Sequence, residues 1–214
     1  MKEFISYLLF IGSGIGITLC LLICGISIGL IGGTFLSILR YKGIAVRILN
    51  KIISIIRGTP LILQLSFIYF STPGLLGIKL SVITAGIIAF GINSTAYTAE
   101  IMRAGIECLS KGQFEAAKTL QIPNFYMWKD IILPQVIRII FPTIVNEVIA
   151  LLKETALIAT IGGVDIMRKA QMLAAEQFTY FVPLCIAGAY YYVCVILIEF
   201  SSKKIEKKWQ YIKA

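Results

Sequence analysis

Polar side chains in this sequence stand at helical intervals inside long apolar runs. Glu147 and Glu154 are seven positions apart, as are Asn93 and Glu100, and Arg103 follows Glu100 by three. Seven positions are two helical turns, so each pair shares a face. An ionised side chain at the bilayer centre costs roughly 2.5–3.5 kcal/mol on insertion scales, so such groups turn toward a protein interior or an aqueous path. The chemistry they suit is binding rather than bond-making. A zwitterion offers one carboxylate and one ammonium, which a cation such as Arg103 and an acid such as Glu147 would meet. Asn93, Glu100, Arg103, Asn146, Glu147 and Glu154 are therefore the candidate substrate-pathway residues. Structural roles compete for several of them. Glu100 and Arg103 have the spacing of an ion pair, Asn146 suits an interhelical hydrogen bond, and Glu154 beside Lys153 suits a snorkelling helix end.

Catalytic chemistry finds little support. The chain has no histidine, which excludes a zinc HExxH site and any histidine-based triad. No nucleophile elbow or phosphate-binding Walker loop occurs. The run Gly12-Ser13-Gly14-Ile15-Gly16 lacks the Lys-Ser/Thr that a phosphate loop requires. If ATP drives this protein, another chain binds it, and no cofactor or metal is expected here. Cys20, Cys24, Cys108, Cys185 and Cys194 lack paired metal spacing and read as small apolar packers. The net charge of +9 is not interleaved with aromatics on a polar surface, so no nucleic-acid partner is implied.

The elements that must position these residues are membrane helices. Hydrophobic residues make up 58% of the chain and charged residues 14%, with a mean hydropathy of +0.87. A water-soluble domain could not hide that apolar surface, so the expected solvent is lipid. Five crossings are predicted, near residues 9–38, 56–75, 81–104, 136–160 and 182–201, within one domain spanning 1–214. The uncharged run from Phe4 to Leu39 is too long for a signal h-region and reads as a retained helix. An external N-terminus places all but five of the 20 Lys and Arg residues (Lys2, Lys79, Lys153, Arg168 and Lys169) on the cytoplasmic side, as the positive-inside rule requires. Gly12 with Gly16, and Gly25, Gly29 and Gly33, fall at four-residue intervals that let another helix approach closely. Residues 162–181, with Asp165, Arg168, Lys169, Glu176 and Gln177, read as an external interfacial helix or a solvated connector.

Between the third and fourth crossings lies a polar, amphipathic stretch over about residues 106–134. Its motif is Gly112, Glu115-Ala116-Ala117, Leu120, Gln121 and Leu133-Pro134. A helix is predicted over 113–120, with Glu115 near its first turn, then a turn over 121–124 and a second amphipathic piece re-entering the membrane at Pro134. The Ala116-Ala117 pair offers a smooth docking face, with Phe114, Phe125, Tyr126 and Trp128 as anchors. This pattern resembles the EAA coupling loop of ABC-importer permeases. Arg57-Gly58-Thr59-Pro60-Leu61 with Gln64 looks like the polar amino-acid uptake branch of that family, of the glutamine-transport type. The resemblance runs from about residue 13 to 204.

The resemblance implies an all-α membrane protein, a type I ABC-importer permease of five transmembrane helices with a cytoplasmic coupling helix. It also implies a multi-pass protein of the bacterial plasma (inner) membrane with its C-terminus in the cytoplasm. Expected partners are a cytoplasmic ATPase subunit that binds the ATP, a second permease chain (most simply itself), an external amino-acid-binding protein and lipid. The chain would not itself be an enzyme. Arg57, Gly58, Thr59, Pro60 and Gln64 fall in the gate region, where Thr59 could cap a helix start and Gln64 could face the pathway. The family pattern has glycine where this chain has Gln121, which implies either a strained or a shifted turn. Glutamine is the first substrate and arginine or another cationic amino acid the second, since Glu147 could accept a guanidinium bidentately. A channel or ATP-independent carrier, with the basic loop as an interfacial anchor, is the competing class.

Overall fold

The computed structural model describes residues 2–211, with side chains as far as residue 208. Lys213, counted above with the cytoplasmic charges, lies outside the described residues. Among those residues all regular structure is helical. The chain runs through α1 (Lys2–Gly12), α2 (Ile15–Tyr41), α3 (Val46–Gly58), α4 (Leu61–Leu76), α5 (Val82–Glu107), α6 (Lys111–Thr119) and α7 (Asn124–Tyr126). A π-helical turn (Met127–Ile132) leads into α8 (Leu133–Glu154), a 3₁₀ segment (Thr155–Ile161), α9 (Ile166–Glu176) and α10 (Phe181–Tyr211). Four stretches, Lys2–Tyr41, Val82–Glu107, Asn124–Ile161 and Phe181–Lys208, are long and apolar enough to cross a membrane, and the bent pair α3–α4 raises the number to as many as five.

Two predicted crossings have different boundaries. The first is interrupted at Ser13-Gly14, where the start of α9 presses on the Gly14 backbone. A Cβ on Gly14 would lie 2.4 Å from the carbonyl carbon of Asp165. Gly12 and Gly16 therefore do not form one stripe: Gly12 meets Tyr190, while Gly16 faces open space. The second crossing does not begin at Arg57. Arg57 and Gly58 end α3, and α4 departs at 101°. Pro60 lacks an N–H and keeps the preceding residue out of the helical region, as Thr59 shows with φ −112° and ψ 141°. The helix after the bend, α4, has 16 residues, roughly 24 Å of helix. α3 buries Ile53 against Ala96 and Ala99 of α5 and exposes Ile48, Ile52 and Ile55, an amphipathic division suited to a membrane interface.

The core is built on α2 against α5. Gly25, Gly29 and Gly33 of α2 meet Phe90, Ser94 and Thr98 so closely that a Cβ on Gly29 would lie 2.3 Å from Ser94 Oγ, and one on Gly33 2.5 Å from Thr98 Cβ. Lipid is as apolar as leucine, so this dispersion contact rather than water exclusion holds the pair. Leu21, Leu65, Phe90, Leu151 and Ile158 complete the buried cluster. Cys194 alone of the five cysteines is buried there; Cys20, Cys108 and Cys185 are exposed and do not act as core packers.

α9 is clasped by α1 and α10 through Ile11, Ile166, Ala170, Leu173, Ile186 and Ala187. Asp165 caps it from a fully buried position. One carboxylate oxygen accepts the Arg168 N–H at 2.8 Å and the other accepts the Tyr191 hydroxyl at 2.9 Å. Burial pushes this carboxyl above its ordinary range, while those two donors pull it back. Asp165 is thus a structural cap and not a surface group on the connector.

Candidate functional site

The polar stretch forms an arm fastened to the bundle. Ser110 starts α6 by accepting the Gly112 N–H at 3.3 Å, and the helix begins at Lys111 rather than at residue 113. Glu115 therefore stands in the second turn, beyond the strongest part of the helix dipole. Gln113 and Gln135 exchange reciprocal amide hydrogen bonds at 2.9 and 2.7 Å, joining α6 to α8 across 22 residues of sequence. Ala117, only 3% exposed, packs with Met102, Met127, Ile132, Val136 and Ile140. It anchors the arm to α5 and α8 and is not part of a docking face. Phe114 and Trp128 also turn inward: Trp128 meets Tyr41 edge-on at 4.6 Å and Phe114 at 6.2 Å.

The arm's outward surface carries Gly112, Glu115, Ala116 and Leu120. Leu120 is 72% exposed and Phe125 68%, with Tyr126 beside it. Gln121 takes φ +53°, its N–H bonds to Lys118 O at 2.9 Å, and the Ile122 N–H bonds to Ala117 O at 3.0 Å. That is the Schellman stop usually served by glycine. The turn is kept and glutamine bears the left-handed cost, which runs to roughly 1–2 kcal/mol. Leu133 and Pro134 do not mark a separate re-entry point; they continue the π-helical turn directly into α8.

A cluster of charges lies at the same end. The Glu100 carboxylate receives Arg40 at 2.6 Å, Arg103 at 3.0 Å and Arg57 at 3.5 Å. Arg103 also pairs with Glu107 at 2.5 Å, and Arg57 stands 5.2 Å from the centre of the Tyr97 ring. Arg40, Arg57, Glu100, Arg103 and Glu107 line a cleft of about 960 Å³ between α2, α3, α5 and α6, with Asn50, Ser54, Gly58, Lys111 and Phe114 also in its walls. Arg40 has no counterpart among the sequence-derived sites. Its only sequence signal is its position as the first charge after the long apolar run.

Arg103, expected with Glu147 to meet the two ends of a zwitterion, instead forms the predicted ion pair with Glu100 and a second with Glu107, both on its own helix. Glu147 is partly buried on α8. Asn93 is buried within α5, whereas Asn146 is exposed and Glu154 half-buried. The structure therefore places Glu100 and Arg103 in the charge cluster, whose cleft Glu147 does not line.

Gln64 and Thr59 are committed to the bend. The Gln64 amide nitrogen donates to Ile56 O at 2.7 Å, Thr59 O at 3.1 Å and Thr59 Oγ1 at 2.9 Å. The Thr59 hydroxyl donates back to Ile55 O at 2.9 Å. Thr59 thus closes α3 rather than capping α4, and the Gln64 amide nitrogen is turned to the bend.

The model of the binding-protein-dependent transport system inner membrane component family matches residues 25–211. A Rickettsia conorii protein named as a glutamine transport system permease is 48% identical over 208 residues, covering 96% of this chain and 95% of the relative. The arginine transport system permease protein ArtQ of Bacillus subtilis is 43% identical over 201 residues, covering 93% and 92%. Among solved structures, an amino acid ABC transporter superposes with a TM-score of 0.88 at 34% identity over 97% of both chains. A methionine ABC transporter shares the fold at a TM-score of 0.74 and 16% identity, over 97% of this chain and 98% of the other. The chain belongs to the family of binding-protein-dependent transport system inner membrane components.

Proposed function

We propose that this chain is the permease subunit of an ATP-driven amino-acid importer, with glutamine the favoured substrate and arginine or another cationic amino acid the second. The observation that carries this reading is the α6 arm, held to α5 and α8 by Gln113–Gln135 and Ala117 yet presenting Leu120, Phe125 and Tyr126 outward. A fixed handle with an apolar grip suits a groove in a separate ATPase subunit, where ATP is bound and hydrolysed. The loop charges put that arm in the cytoplasm with the C-terminus, and the N-terminus and α9 outside, where a substrate-binding protein delivers the amino acid. Two copies, each acting as one transmembrane domain, enclose the pathway, and nucleotide-driven motion of the arms alternates its access.

Glu147 is the pathway acid in this reading, while Arg103 is engaged by Glu100 and Glu107. The test is uptake of labelled glutamine by the complex of this chain with its ATPase and binding protein in liposomes, in competition with a panel of unlabelled amino acids. Glutamine competes best if the first choice holds, and arginine if the second does. Uptake that persists without ATP contradicts the importer. Glu147→Gln is expected to shift the ranking of amino acids by about tenfold, or about 1.4 kcal/mol, with the complex intact; an unchanged ranking removes Glu147 from the pathway.

A further inference from the structure

The cleft of about 960 Å³ beside the arm holds more positive charge than it neutralises. Four cations line it, Arg40, Arg57, Arg103 and Lys111, against two carboxylates, Glu100 and Glu107. Those carboxylates accept hydrogen bonds from Arg40 and Arg103. Arg57 reaches Glu100 only as a 3.5 Å contact without a hydrogen bond, and Lys111 pairs with no acid among the described residues. The side chains of Asn50 and Ser54, also in the cleft wall, make no hydrogen bond among the described residues. A guanidinium, an ammonium, an amide and a hydroxyl with capacity to spare suit the oxygens of a phosphate. The placing of α3 says which phosphate. Asn50, Ser54 and Arg57 follow one another at four and three residues and share the cleft face of the helix, whereas Ile48, Ile52 and Ile55 are exposed on the opposite face. A helix divided in this way lies along the membrane interface with its apolar side in lipid, which sets the cleft at the depth of the headgroups. Ile106, Leu109 and Phe114 add an apolar wall that a lipid's glycerol and first acyl carbons would cover and a soluble anion would not.

We propose that this cleft is a binding site for the headgroup of an anionic phospholipid, whose singly charged phosphodiester is received by Lys111 of α6 and by Arg57, Ser54 and Asn50 of α3. The Arg40–Glu100–Arg103 contacts stay as they are and form the floor of the site. The bound lipid fastens the interfacial helix to the start of the arm, so the charge of the surrounding leaflet bears on the element that carries the arm. The site is separate from the substrate pathway and does not depend on which amino acid, if any, the chain carries.

The test is lipid binding by the full chain in detergent, read as lipid retained per chain in native mass spectra and as the rise in melting temperature on adding lipid. Phosphatidylglycerol is expected to occupy one strong site and raise the melting temperature. Phosphatidylcholine, whose choline cancels the phosphate charge, is expected to bind about tenfold more weakly. Ser54→Asp puts a negative charge into the cleft at an exposed position and is expected to weaken phosphatidylglycerol about fivefold, as is Lys111→Gln. Lys51→Gln changes the charge of α3 by the same amount outside the cleft wall and is expected to leave the strong site unchanged. An equal loss in Lys51→Gln would reveal attraction to the basic surface at large and overturn the site. Equal binding of the two lipids overturns it as well, and so does unaltered binding in Ser54→Asp and Lys111→Gln. Should Ser54→Asp lower the melting temperature without lipid, Lys111→Gln decides alone. Excess inorganic phosphate or glycerol 3-phosphate is expected to displace no lipid; displacement would assign the cleft to a soluble phosphate and contradict the lipid.

Discussion

The two ends of the bundle are held by different forces. At the α9 end Asp165 is buried and both its oxygens are occupied, Tyr190 donates to Leu8 O at 3.0 Å, and the Gly14 backbone lies against Asp165 and Ile166. At the α6 end arginines and glutamates share contacts around an open cleft, and much of the arm's apolar surface is uncovered. Close packing and buried hydrogen bonds admit no substitute partners, because a displaced group there finds no water. Half-exposed ion pairs exchange readily with solvent and with one another. The difference teaches where motion belongs: the α9 end is built as a fixed support and the α6 end as the working end.

Gly14→Ala breaks the comparison most severely. The added methyl would sit 2.4 Å from the carbonyl carbon of Asp165 and 2.6 Å from the Ile166 nitrogen, and both are backbone atoms that no rotamer change can move. A cost of about 3 kcal/mol is expected, read as a lower melting temperature and loss of folded chain in detergent. A melting curve like that of the wild type would show that this end is not locked. Gln121→Gly sharpens the other side. Removing the left-handed penalty is worth about 1 kcal/mol after the entropy of glycine is charged, so the melting temperature rises slightly and uptake is retained. Destabilisation by this change would mean that the turn after α6 is not the left-handed stop described.

Much of this architecture could be read from the residues. Long apolar runs marked the membrane helices, and the Gly25, Gly29 and Gly33 interval marked the face of α2 that meets α5, because composition and helical period encode both. The motif around Glu115 located α6 to within two residues. What stayed hidden depends on contacts between residues distant in sequence. Nothing near Gln113 announces Gln135, and nothing near Arg40 announces Glu100, 60 positions away. Ala117 and Trp128 looked like surface groups on a polar helix, yet tertiary packing turns both inward. The Thr59-Pro60 break was legible, but its 101° angle and the Gln64 amide that spans it were not.

The central claim is that the α6 arm is where the ATPase grips. Its most direct measurement is the affinity of the purified ATPase subunit for this chain in nanodiscs, carrying Leu120→Asp and Glu115→Lys on the exposed side of the arm. The account predicts a folded, membrane-inserted chain whose ATPase affinity falls by about a hundredfold, the loss of a hot spot of about 2.7 kcal/mol, and whose ATP-driven uptake disappears. Undiminished ATPase binding with full uptake in that variant would contradict it.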